Sequence, residues 1–141
     1  MAITFQAEGI ALPKIKKRET AHWIKTVAKN YHRKVGEIAY LFCDDEQILA
    51  INRKFLQHDY YTDIITFDYS EEDTLSGDIF ISIDTVHSNS QKYKTDYEEE
   101  LHRVIIHGIL HLCGVNDQSE EKAKEMRAAE NSALLLLKKS E

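Results

Sequence analysis

Two histidines four residues apart, His107 and His111, sit inside the apolar run VIIHGILHLCG. If that run is helical, four residues make about one turn, so both imidazoles leave the same face and can share one metal ion. A single buried histidine demands only a polar partner; a stacked pair points to metal chemistry. Gly114 follows His111 by three residues, and a glycine there can take the left-handed conformation that ends a helix and turns the chain back. The returning chain carries Asp117. Two imidazoles and one carboxylate make three protein ligands, a set that leaves a position open for water or substrate. Asp117 has an equal claim to another role, because Asp117-Gln118-Ser119-Glu120 has the spacing of a capping box and aspartate is a strong N-cap. Cys113, two positions from His111, falls on a different face and reads as a small core residue.

The block HGILHLCGVND, His107 to Asp117, resembles the HGxLHLxGxDH signature of the YbeY family of bacterial metal-dependent endoribonucleases and ribosomal RNA maturation factors. Two more blocks carry the resemblance: TDIITF (Thr62 to Phe67) is similar to the family's TDVLSF, and SGDIFIS (Ser76 to Ser82) to its LGDIxIS. Their order and spacing agree with the family, so the resemblance covers the chain from about Ile48 onward. Three blocks together are a specific signal, whereas HxxxH alone is a weak one.

The resemblance implies one divalent transition metal per chain, held by His107, His111 and Asp117, with catalysis through water activated at that metal. Asp117 stands where the family usually has a third histidine. A carboxylate there lowers the formal charge of the site, so bound water is expected to be less acidic; zinc is the first expectation, with nickel, manganese and ferrous iron also compatible. Leu56 stands where the family usually has an arginine, in a pattern like LNxxYRxxDxPTD, that is implicated in RNA cleavage. Arg53, Lys54 and Arg103 are candidates to supply positive charge instead. The family pattern places Thr62, Asp63, Gly77 and Asp78 near the cleft, although Asp63 and Asp78 serve equally well as strand-end caps. Substrate contacts are therefore expected from Arg103, Thr62, Asp63 and Arg53, with an Arg103–Glu100 ion pair as the simpler reading of Arg103.

The function implied is a single-strand-directed endoribonuclease acting in small-subunit ribosomal RNA maturation and ribosome quality control, with precursor ribosomal RNA and the small ribosomal subunit as partners. Two alternatives remain open at this point. Leu56 favours a metal-stabilised ribosome assembly factor that does not cleave, and three ligands do not specify what a hydrolase acts on. Peptidase chemistry is disfavoured, because Gly108 occupies the position where HExxH enzymes carry their general base.

Composition agrees with one domain over residues 1–141. Hydrophobic residues make up 43% and charged residues 30%, the balance of a globular chain long enough to bury a core. There is no apolar run of bilayer length and no basic segment leading into an apolar one at the start, so the expectation is a cytoplasmic monomer with no membrane association. Cys43 and Cys113 are then expected as free thiols. The net charge of −6 does not favour general adhesion to nucleic acid, which depends on basic charge, so an RNA role must rest on a local patch. Lys14 to Arg18 and Arg33-Lys34 are the densest basic clusters, and each reads first as a solvated face.

The elements that must position the pair follow from periodicity. Residues 3–7 and Glu37 to Cys43 alternate as strands; Pro13 suits the first turn of a helix reaching Asn30; Asp44 caps a helix reaching Phe55. Asp59 to Asp63 reads as a loop, residues 64–69 and 78–83 as strands rich in β-branched residues, and Asp84 as the cap of a helix toward Tyr93. Thr95 or Asp96 opens the central helix, where Glu98, Glu99 and Glu100 complement the dipole and Glu100, Arg103, His107 and His111 form a polar strip between apolar flanks. A last helix runs from Ser119 to about Leu137. The order β-α-β-α-β-β-α-α-α predicts an α/β domain with a small mixed sheet of about four strands, packed by helices around a central metal-binding helix.

Overall fold

A computed structural model describes residues 2–56 and 63–139. It is an α/β fold built on one four-stranded mixed sheet: β1 (Ala2–Ala7), β2 (Lys34–Cys43), β3 (Ile64–Asp68) and β4 (Thr74–Ser82), in the order β1-β2-β4-β3. β2 pairs in parallel with β1 and β4, while β3 and β4 form an antiparallel hairpin. Both parallel pairings need crossovers, and helices supply them. α1 (Lys17–Asn30) joins β1 to β2, and α2 (Asp45–Ile51), extended by a turn of π-helix over Asn52–Leu56, leaves β2 on the other side of the sheet. α3 (Ile83–Lys92), α4 (Tyr97–Leu112) and α5 (Glu120–Lys139) complete the chain.

The main core lies between the sheet and α1, α4 and α5. Phe5, Tyr40 and Phe42 stack across β1 and β2, and the buried Tyr40 hydroxyl donates to the Ile105 carbonyl at 2.8 Å, tying α4 to the sheet. Trp23 donates its indole N–H to the Ala133 carbonyl at 2.8 Å, which fixes α1 against α5. A smaller cluster of Cys43, Ile48 and Ile65 lies beneath α2. Both cysteines are free and buried.

α4 is apolar on nearly all sides, as its sequence demands: Leu101, Val104, Ile105, Ile106, Ile109, Leu110 and Leu112 are buried. Gly108 allows the helix to lie close on the sheet, because a Cβ there would stand 3.1 Å from the Ile79 side chain and 3.2 Å from that of Ile64. The helix ends as expected at Gly114, whose φ is +98°, with its N–H donating to the His111 carbonyl at 3.0 Å. The reversal brings residues 115–119 back along the same side.

Several boundaries differ from the sequence expectation. α1 starts at Lys17 rather than at Pro13; Ile15 packs against the core from outside the helix, and Thr20 and Trp23 are the first fully buried positions of α1. β4 begins at Thr74, because pairing with Lys34 and Val35 carries Thr74-Leu75-Ser76 into the sheet despite their weak strand pattern. Ser82 caps α3 by accepting from the Thr85 N–H, whereas Asp84 accepts from the Asp45 N–H. Among the described residues no helix is long and apolar enough to cross a membrane.

Candidate metal centre

A cleft of about 670 Å³ opens beside the exposed end of α4. Glu100, Arg103, His107 and His111, the expected polar strip, all line it. Asp63, at the entry to β3, and Asp117, on the returning chain, face the same space. Asp117 does not cap α5: the Ser119 hydroxyl accepts from the Lys122 N–H at 3.1 Å and takes that role. The Asp117 carboxylate turns instead toward His107, with Oδ2 at 3.7 Å from Nε2. That spacing is too long for a good hydrogen bond. It is close to the roughly 3.4 Å that separates two ligands each about 2.1 Å from a tetrahedral centre.

The other nitrogen of His107 is committed. Its Nδ1 lies 2.7 Å from Oε2 of Glu130, a residue of α5 only 5% exposed. Burial pushes the Glu130 carboxyl up, but the hydrogen bonds and charges of His107 and Arg103 outweigh it and hold the pKa below the ordinary 4.5. An ionised carboxylate can only accept. The proton of a neutral His107 ring is therefore on Nδ1, and the lone pair of Nε2 faces Asp117. A carboxylate that fixes the tautomer of a histidine in this way is the usual support of a metal-ligating imidazole. Among the described residues no three such side chains stand converged on one point as they are, but the donor set, two imidazoles and a carboxylate on one wall with one ring pre-oriented, fits a divalent transition metal.

Arg103 departs from its expected partner. Its guanidinium donates to Glu130 Oε1 at 3.0 Å and to Asn131 Oδ1 at 2.8 Å, so it braces α5 against α4 rather than pairing with Glu100. Glu130 thus accepts from both Arg103 and His107, and it is the important residue that sequence reading missed. The available signal was a lone carboxylate in the apolar stripe of the last helix, with Met126, Ala133, Leu134 and Leu137. A buried acid needs a partner.

The remaining expected contacts are scattered. Asp63 lines the cleft, and burial raises its carboxyl above the ordinary value despite the opposing charge of His107. Arg53 lies on the exposed π-helical turn and is not part of the cleft wall, although its neighbour Asn52 is. Gly77 and Asp78 sit on β4 and are not part of that wall either. Thr62 lies outside the described residues, as does most of the expected Asp59 to Asp63 loop; Leu56 ends the π-helical turn.

The ion pair gives the metal-free protein a signed pH dependence. His107 is raised above 6.5: burial works against its protonated form, and the hydrogen bond and charge of Glu130 prevail. Its contribution to stability is full below the unfolded value and fades as pH rises through the folded one. Glu130, held low, contributes above its unfolded value and loses that contribution as pH falls through the folded one. The pair is therefore strongest between about 4.5 and 6.5. With chelator present, the gap in thermal midpoint between the wild type and Glu130→Gln is expected to peak in that window and shrink on both sides; a gap independent of pH contradicts the assignment.

Comparison with known proteins places this geometry in a family. The family model described as Endoribonuclease YbeY matches residues 3–138. A protein of Bacteroides fragilis named Endoribonuclease YbeY is 64% identical over 138 residues, covering 98% of this chain and 99% of that protein. One of the same name from Porphyromonas gingivalis is 57% identical, covering 98% of this chain and 91% of that protein. Among solved structures, the solution structure of TM1509 from Thermotoga maritima superposes with a TM-score of 0.68 at 27% identity, covering 96% of this chain and 89% of that one. With two of the three sequence blocks on the wall of one cleft and the family match running almost end to end, the chain belongs to the YbeY endoribonuclease family.

Proposed function

We propose that this endoribonuclease cuts single-stranded RNA during maturation of the small-subunit ribosomal RNA, at a centre formed by His107, His111 and Asp117. The observation that carries the reading is the buried Glu130 carboxylate on His107 Nδ1, which turns Nε2 toward Asp117 in a cleft shared with His111. A divalent transition metal, zinc first, would be held by those three side chains and would supply Lewis acidity toward a phosphodiester. The chain's own residues do the rest. Glu130 keeps the imidazole in one tautomer, and Arg103 keeps Glu130 ionised and in place. Asp63 and Glu100 line the same cleft, and burial raises both carboxyls, so either is a candidate for proton transfer during cleavage.

The non-cleaving assembly factor is not favoured, because the similar proteins are named as endoribonucleases. The position of Leu56 leaves phosphate binding to cations on other elements. The partners of this reading are precursor ribosomal RNA and the small ribosomal subunit, met by a monomer in the cytoplasm. Purified protein loaded with zinc or manganese is expected to cut a single-stranded oligoribonucleotide spanning a ribosomal RNA precursor end, to spare the same sequence in a duplex, and to stop when chelator is added. Cleavage that continues undiminished in chelator rejects the metal-centred reading.

A further inference from the structure

Three side chains of the cleft wall take no part in the metal centre or its buried brace. Tyr93 and Asn89 come from the C-terminal end of α3, and Arg127 comes from α5. Tyr93 is 51% exposed, and the Lys92 ammonium stands 5.4 Å from its ring centroid. Asn89 is four residues earlier, one turn back, and the Tyr93 N–H donates to its carbonyl at 2.9 Å, so both side chains serve the same wall. Arg127 keeps 53% of its side chain exposed, and its nearest carboxylate oxygen, Glu130 Oε1, is 3.9 Å away and already engaged by Arg103. Of the two guanidiniums in the cleft, Arg103 is committed to the fold and Arg127 is available to a ligand.

Resting on the reading of this cleft as an RNA site, we infer that Arg127, Tyr93 and Asn89 form a nucleotide subsite of single-stranded RNA beside the metal centre. Arg127 presents a planar fork to the oxygens of a phosphodiester. The Tyr93 ring stacks on the neighbouring nucleobase, and the Asn89 carboxamide, which offers both donor and acceptor, meets the edge of that base. The charge of the cleft makes stacking necessary. Asp63, Glu100, Asp117 and Glu130 all border it, so a polyanion held by charge alone would meet four carboxylates. The subsite also explains a preference for unpaired strands, because the base of a duplex has its faces stacked and its edge paired already.

The test is binding of a fluorescein-labelled single-stranded 2′-O-methyl oligoribonucleotide, which resists cleavage, to metal-loaded full-length protein by fluorescence anisotropy. Tyr93→Ala is expected to weaken binding about tenfold, the scale of one lost base stack, and Tyr93→Phe to restore it. Arg127→Ala is expected to weaken it by a similar factor and to reduce the salt slope by about one, with partial recovery in Arg127→Lys. On cleavable RNA the same alanine variants raise KM and leave kcat within a few-fold, while thermal midpoints confirm that each remains folded. Tyr69→Ala, an exposed aromatic outside the cleft, binds as the wild type does. If the wild type cleaves RNA and both alanine variants bind unchanged, or Tyr93→Phe fails to rescue, the subsite is overturned and the nuclease reading stands. If the wild type neither binds nor cuts RNA, the nuclease reading falls and takes the subsite with it.

Discussion

Glu130→Ala is expected to be the most damaging single substitution outside the hydrophobic core. It leaves the Arg103 guanidinium without its principal acceptor and His107 Nδ1 without any carboxylate, both in the partly buried seam between α4 and α5. Removing one partner of a buried ion pair costs about 3–5 kcal/mol, because the remaining charge stays desolvated. For a chain of this length that corresponds to a fall in thermal midpoint on the order of 10 °C. The effect reaches the site as well, since loss of the carboxylate that orients a ligating imidazole costs about 10- to 100-fold in metal affinity or activity. Glu130→Gln separates the two consequences. It can still accept one hydrogen bond, so it should recover part of the stability while His107 loses its anionic partner and metal affinity stays low. Calorimetry and metal titration on the two variants check this. Equal recovery of stability and metal affinity by glutamine would show that a hydrogen-bond acceptor suffices and that the negative charge of Glu130 is not needed.

His111→Ala is expected to behave in the opposite way. The residue is exposed in the last turn of α4, where truncation of a side chain normally changes stability by no more than about 0.5 kcal/mol. Its imidazole lines the cleft beside His107 and Asp117. Loss of one member of a preorganised electrostatic set lowers turnover by about 10²-fold or more, so RNA cleavage should fall by at least that much while the thermal midpoint of the metal-free protein barely moves. Single-turnover cleavage beside a melting curve in chelator makes the comparison. Activity that survives in His111→Ala would point to a contaminating nuclease or to chemistry elsewhere on the molecule.

The two variants mark what was legible in the sequence. α4 could be read closely, since an almost wholly apolar helix with one polar strip and a terminal glycine admits few arrangements, and Glu100, Arg103, His107 and His111 do line one cleft. The mixed four-stranded sheet followed from the order of elements and the short β3 to β4 connection. Partners distant along the chain were not legible. Arg103 has an acid three residues earlier on its own helix, yet its hydrogen bonds go to Glu130 and Asn131 on α5. Periodicity ranks neighbours within an element and says little about contacts between elements. The choice at Asp117 between helix cap and metal ligand was undecided because local spacing fits both; in the structure the Ser119 hydroxyl accepts from the Lys122 N–H and takes the cap. Nothing in the local sequence marks Tyr93 or Arg127, because only the packing of α3 and α5 around α4 brings them to one cavity.

In the proposed centre Asp117 completes a metal site with His107 and His111. Elemental analysis of tag-free protein purified without chelator, for the wild type and for Asp117→Ala, tests it most directly. About one divalent transition metal per chain is expected in the wild type and a marked loss in the variant, since affinity depends on the full ligand set. Full metal retained in Asp117→Ala, or none bound by the wild type under any loading condition, would contradict it.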